Sequence, residues 1–131
     1  MCAPRPRDFT EAARWLRLAA EGGNRAAQFE LATLYDRGLG VERSYEDAAR
    51  WFRVGAEGGE AASQFNLGSM YEQGHGVRRS LVDAYMWYSI ASRLGFPIEE
   101  LGALESLASR MTAAEIERAE AAALDFEATV D

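Results

Sequence analysis

The chain repeats itself every 36 residues, and a fixed period of that size marks stacked helical units, not a single closed core. Residues 11–23 read EAARWLRLAAEGG and residues 47–59 read DAARWFRVGAEGG. The frame then slides 27–51 onto 63–87: Gln28 falls on Gln64, Phe29 on Phe65, Leu31 on Leu67, Tyr35 on Tyr71, Gly38 and Gly40 on Gly74 and Gly76, Ser44 on Ser80, Ala48 on Ala84 and Trp51 on Trp87. Trp15 stands in the same column, so all three tryptophans of the protein share one repeat position. A tryptophan fixed to a repeat position is read as a packing residue, because each unit must bury its apolar face on its neighbours. The three are therefore expected to be equivalent and mostly buried, and loss of one ring to cost about 3–5 kcal/mol.

Each period reads as a helix pair, A then B. In the second unit helix A places Gln64, Leu67, Gly68 and Tyr71 on one face at three- and four-residue spacing and stops at Gly74-His75-Gly76, where glycine supplies the left-handed backbone of a helix end. Helix B opens at Ser80 with Asp83 three residues on, the pattern of a capping box. Ser44 with Asp47, Asp8 with Glu11 and Thr112 with Glu115 repeat it. Pro97 suits a first helical position. The pattern predicts helices over 9–21, 25–37, 44–57, 61–73, 80–93, 97–109 and 113–127, and no strand.

Composition narrows the function. With 131 residues and 48% apolar composition the chain has room for one domain. No stretch approaches the ~20 apolar residues of a membrane-spanning helix, so no integral membrane segment is expected. From residue 99 onward nine acids face only Arg110 and Arg118, which supplies the whole formal net charge of −7. An acidic chain without a basic stripe argues against nucleic acid and against anionic membranes. All 14 basic residues are arginine, which reads as the coding bias of a GC-rich genome. The opening MCAPRPRD has no apolar run behind its arginines and is no secretory leader. The chain as given thus points to the cytoplasm, a leader removed before Met1 would point to the periplasm or to secretion, and the compartment is left open.

Catalytic signals are sparse. His75 is the only histidine and sits between two glycines, where it reads as a solvated loop residue. One histidine and one cysteine, Cys2, make neither a zinc site nor a Cys-His nucleophile pair. Gly38-x-Gly40 and Gly74-x-Gly76 lack the Gly-Lys-Ser/Thr that follows in a phosphate loop. No cofactor, metal or catalytic residue is assigned.

The second unit, with Gln64, Leu67, Gly68, Tyr71, Gly74, Gly76, Val77, Ala84, Trp87 and Tyr88, resembles the Sel-1-like repeat, a relative of the tetratricopeptide repeat. The first unit departs once, carrying Ala32 in place of the small glycine. The resemblance covers roughly 8–110 and implies an all-α fold: an α-solenoid, or superhelix, of stacked antiparallel helix pairs closed by a C-terminal capping helix pair. The expected division is a flexible tail at 1–7 and one repeat domain at 8–131, made of a half repeat at 8–25, repeats at 26–60 and 61–96, and the helical cap at 97–131. The disulfides of some secreted relatives are missing here.

The same resemblance implies that the A helices line a concave side whose non-core positions recognise an extended peptide or a partner domain. Those positions are Phe29, Glu30, Thr33, Asp36 and Arg37 in the first unit and Phe65, Asn66, Ser69, Glu72 and Gln73 in the second. Phe29 and Phe65 could equally seal adjacent A helices. Asp36 and Glu72 beside the phenylalanines fit a partner with basic and apolar side chains. The expected function is a non-catalytic interaction module, an adaptor or regulatory scaffold. The alternatives are a terminal fragment of a longer scaffold that serves assembly, or an enzyme acting on cell-wall or β-lactam compounds, as some members of the resembled family are. Because 9–21 aligns with helix B, the repeat lacks the A helix that would pack on Trp15, Leu16 and Ala19. This predicts a homodimer through that helix, or an upstream repeat, with Cys2 placed to join two copies under oxidising conditions.

Overall fold

The structure, a computed structural model, describes residues 6–129. Among these, eight helical segments and no strand are found: α1 (Pro6–Glu21), α2 (Arg25–Arg37), α3 (Tyr45–Glu57), α4 (Ala61–Gln73), α5 (Leu81–Arg93), α6 (Ile98–Leu101), α7 (Ala103–Ala108) and α8 (Ala113–Thr129). α2 and α4 are the A helices, and α1, α3 and α5 the B helices. Each packs on the one before and the one after it, and α8 folds back onto α5. This is the stacked arrangement of an α-solenoid.

Local chemistry sets the boundaries. The Ser44 and Ser80 hydroxyls accept the amides of Asp47 and Asp83, both at 3.1 Å, which satisfies a free donor of the first turn. At the cap the full reciprocal box forms: Glu115 N–H donates to Thr112 Oγ1 at 3.1 Å and Thr112 N–H to Glu115 Oε1 at 2.8 Å. α1 starts at Pro6, which places Asp8 within its first turn and not at the capping position expected. Of the expected tail, residues 1–5 lie outside the described residues, and so does Cys2.

The repeat glycines permit close approach. A Cβ at Gly40 would stand 2.2 Å from the Phe9 carbonyl carbon and oxygen, and one at Gly76 2.2 Å from the Tyr45 carbonyl oxygen. Phe9 and Tyr45 are themselves 36 apart, so each A–B loop rests on the start of the preceding B helix. A Cβ at Gly68 would meet the Tyr88 ring at 2.7 Å. The equivalent pair in the first unit is Ala32 and Phe52, both buried.

Between units, Gln28 Nε2 donates to the Ala20 carbonyl and Gln64 Nε2 to the Ala56 carbonyl, each at 3.1 Å. A buried glutamine thereby satisfies the end of the B helix before it. The Tyr35 hydroxyl finds its rim partner in Arg17 Nη2 at 2.7 Å, and Tyr71 finds its own in Arg53, one repeat later.

Two further expectations fail. The helix expected over 97–109 is broken: Gly102, at φ 67, ends α6 and begins α7, and Pro97 precedes the helix instead of opening it. The tryptophans are also unequal. Trp87 is 3% exposed, Trp51 half-buried and Trp15 68% exposed. Trp87 is covered by α8, whose Phe126 ring meets it edge-on at 5.2 Å. Trp51 packs against the cluster of Ala20, Ala27 and Leu31. Trp15 has no helix on its outer side among the described residues. Repeat position fixes which way the ring points, and the neighbouring element decides whether it is buried.

Candidate functional site

Asp36 and Arg37 at the end of α2, with Asn66, Ser69 and Gln73 along α4, line one cleft of about 240 Å³. The 3.6-residue period puts 66, 69 and 73 on one face of α4, and Phe52 and Met70 are the buried apolar residues beneath it. Arg43, Tyr45 and His75 complete the wall.

The wall is built by stacking. His75 is half-buried and lies flat on the Tyr45 ring, with centroids 4.4 Å apart and planes 12° apart, so it is not the solvated loop residue expected. The Arg43 guanidinium carbon lies 5.4 Å from the centre of that ring, and its Nε donates to the Asp36 carbonyl at 3.1 Å. Arg79 makes the same bond to the Glu72 carbonyl at 3.1 Å. Sequence reasoning missed Arg43, Tyr45 and His75 because they lie outside the A helices. The recurrence of Arg43 at Arg79 was the available signal.

The other five expected residues are placed differently. Phe29 packs edge-on to Phe52 at 5.7 Å. Phe65 stacks on Tyr88 at 5.3 Å and on Phe96 at 5.0 Å, so both phenylalanines seal an A helix to the B helix of its own unit. Thr33 Oγ1 donates back to the Phe29 carbonyl at 3.0 Å. Glu30 is exposed and stands outside the cleft. Glu72 is held within the chain, accepting the Tyr88 hydroxyl at 2.9 Å and Arg110 Nη2 at 2.6 Å. Burial first, and then this carboxylate, push the Tyr88 phenol well above its usual range, while a hydrogen bond with Ser69 and then the Arg110 charge oppose them.

A second surface concerns α1. Trp15 and Leu18 are exposed, Leu18 by 59%, and lie three residues apart on one face. Leu16 and Ala19, expected to be uncovered with Trp15, instead pack inward on the cluster of Ala27 and Leu31. Among the described residues no group of three or more His, Cys, Asp and Glu is gathered as a metal site would be, and no helix is long and apolar enough to cross a membrane.

The architecture has solved counterparts. The crystal structure of a protective antigen present in uropathogenic Escherichia coli strains, which displays an SLR fold, superposes with a TM-score of 0.88 at 32% identity, over 93% of this chain and 26% of that one. The chain thus spans about a quarter of that antigen's length. The crystal structure of a Sel1 repeat protein from Oxalobacter formigenes gives a TM-score of 0.62 at 36% identity over 63% of each chain. No curated protein matches. The Sel1 repeat pattern matches residues 3–24, 25–60 and 61–96, a family whose members generally serve as protein-interaction scaffolds. The register of the helix pairs and this three-fold match together make the chain a member of the Sel1 repeat family.

Proposed function

We propose that this protein is a non-catalytic adaptor or regulatory module that binds a peptide or a partner domain in the cleft between α2 and α4. One observation carries the reading: five residues assigned from the repeat register converge on a single cleft with an apolar floor and a polar rim. The side chains of Asn66 and Gln73 have no hydrogen-bond partner among the described residues, so their amides are available to a ligand backbone. Phe29 and Phe65 belong to the core of this reading and Glu72 to its internal bonding, which leaves Asp36, Arg37, Asn66, Ser69 and Gln73 as the recognition set. The test is affinity capture from the native host with wild type and with the Asn66→Ala/Gln73→Ala double variant. Loss of one captured protein at an unchanged thermal midpoint supports the reading. Equal capture by both refutes it.

The exposed pair Trp15 and Leu18 favours a second, compatible reading, in which α1 joins a second copy of the chain or a further repeat of a longer scaffold. Large apolar groups adjacent on one helix face are a liability when left in water. The rival reading is an enzyme acting on cell-wall or β-lactam compounds, which a pocket holding a serine or glutamate beside a base would favour.

A further inference from the structure

Resting on the cleft reading above, we infer that this cleft is a socket for an arginine or lysine side chain of the partner, with the Asp36 carboxylate as its acceptor. The chain carries its own precedent one repeat later. Position by position, 36 residues separate Asp36 from Glu72, Phe52 from Tyr88 and Gly74 from Arg110. In the later interval Arg110 Nη2 donates to Glu72 Oε2 at 2.6 Å while the Tyr88 hydroxyl donates to Oε1 at 2.9 Å. In the earlier interval Gly74 brings no side chain, Phe52 has no hydroxyl, and the Asp36 carboxylate has no hydrogen-bond or ion-pair partner among the described residues. The acceptor is retained and its donors are gone.

Two arginines stand on the rim. Arg43 is pinned through Nε to the Asp36 carbonyl, and Arg79 is pinned identically beside the Glu72–Arg110 pair, so the interval that holds an arginine has that neighbour too. Arg37, whose counterpart is Gln73, is exposed, where solvent and salt screen its charge. The aliphatic stem of an arginine or lysine suits a floor of Phe52 and Met70. About 240 Å³ takes one long side chain, whereas a helix with its side chains is roughly 10–12 Å across.

The test uses the full chain and three blocked peptides, acetyl-Gly-Leu-X-Leu-Gly-amide with X as arginine, citrulline or glutamate, followed through the side-chain amide signals of Asn66 and Gln73 in nuclear magnetic resonance. The arginine peptide is expected to shift both signals. Citrulline in the peptide, or Asp36→Asn in the protein, is expected to weaken binding about threefold to tenfold, the worth of a charge-assisted bond at a half-exposed site. The two changes together should weaken it no further. Equal binding of arginine and citrulline peptides, or tighter binding of the glutamate peptide, overturns the socket and leaves the cleft as the binding site. No shift with any peptide also overturns the socket, and capture by the Asn66/Gln73 variant then decides separately whether the cleft reading stands.

Discussion

The hydroxyl of Tyr88 donates to Glu72 Oε1 at 2.9 Å, in a ring packed beneath α4 where alanine could not replace Gly68 without displacement. Burial and the bonded carboxylate raise the phenol, so the folded chain keeps a proton that the unfolded chain gives up near pH ~10. This contribution to stability is present below pH ~10 and is lost as pH rises above it. Tyr85 is raised in the same direction by burial and by Glu120. Urea midpoints should therefore fall above pH ~10, and Tyr88→Phe should show a shallower fall than wild type. Parallel slopes for the two proteins would contradict this origin.

The tryptophan column gives a graded series. Trp87→Ala removes a ring enclosed by α5 and α8 and should cost about 3–5 kcal/mol. Trp15→Ala, at 68% exposure, should cost less than ~1 kcal/mol, with Trp51→Ala between them. Equal losses in denaturant titrations would restore the equivalence expected from the repeat alone.

Gly59 and Gly76 both have left-handed φ, at 94° and 74°, yet a Cβ at Gly59 meets nothing within 4 Å while one at Gly76 meets the Tyr45 carbonyl oxygen at 2.2 Å. Gly59→Ala should cost only the backbone penalty of about 1–2 kcal/mol. Gly76→Ala should cost a further 1–3 kcal/mol or so, because the loop must move off α3. Similar losses would show that the close approach is not what the second glycine serves.

The Trp15 and Leu18 face should govern self-association. Light scattering is expected to give twice the 14.4 kDa chain mass for wild type and a monomer for Leu18→Glu, with a thermal midpoint that depends on protein concentration for wild type only. Leu18 is the informative position because Leu16 supports the core. A monomer for both proteins would exclude a homodimer through α1.

The helices α2 to α5 were legible because capping serines and glycine stops repeat at one period, and their observed bounds differ from those read by one residue at most. The Gly102 break was not legible, since a single glycine in a helical pattern reads as tolerated until its φ is known. The tryptophan column showed orientation but not burial, which depends on α8 and lies outside the periodic pattern. Five cleft residues followed from what the resemblance implies for the A-helix positions. The role of Glu72 did not, because Arg110 stands where the repeat carries glycine, beyond the last matched unit, and no periodic argument foresees a side chain there.

The central claim is that recognition occurs between α2 and α4. The most direct measurement is amide hydrogen exchange of the full chain, alone and with the partner that the Asn66/Gln73 variant fails to capture. The account predicts new protection at 36–37, 43–45, 66–73 and 75, with little change in α1 or α8. Protection confined to the Trp15 and Leu18 face, or to the acidic α8, with the cleft unchanged, would contradict it.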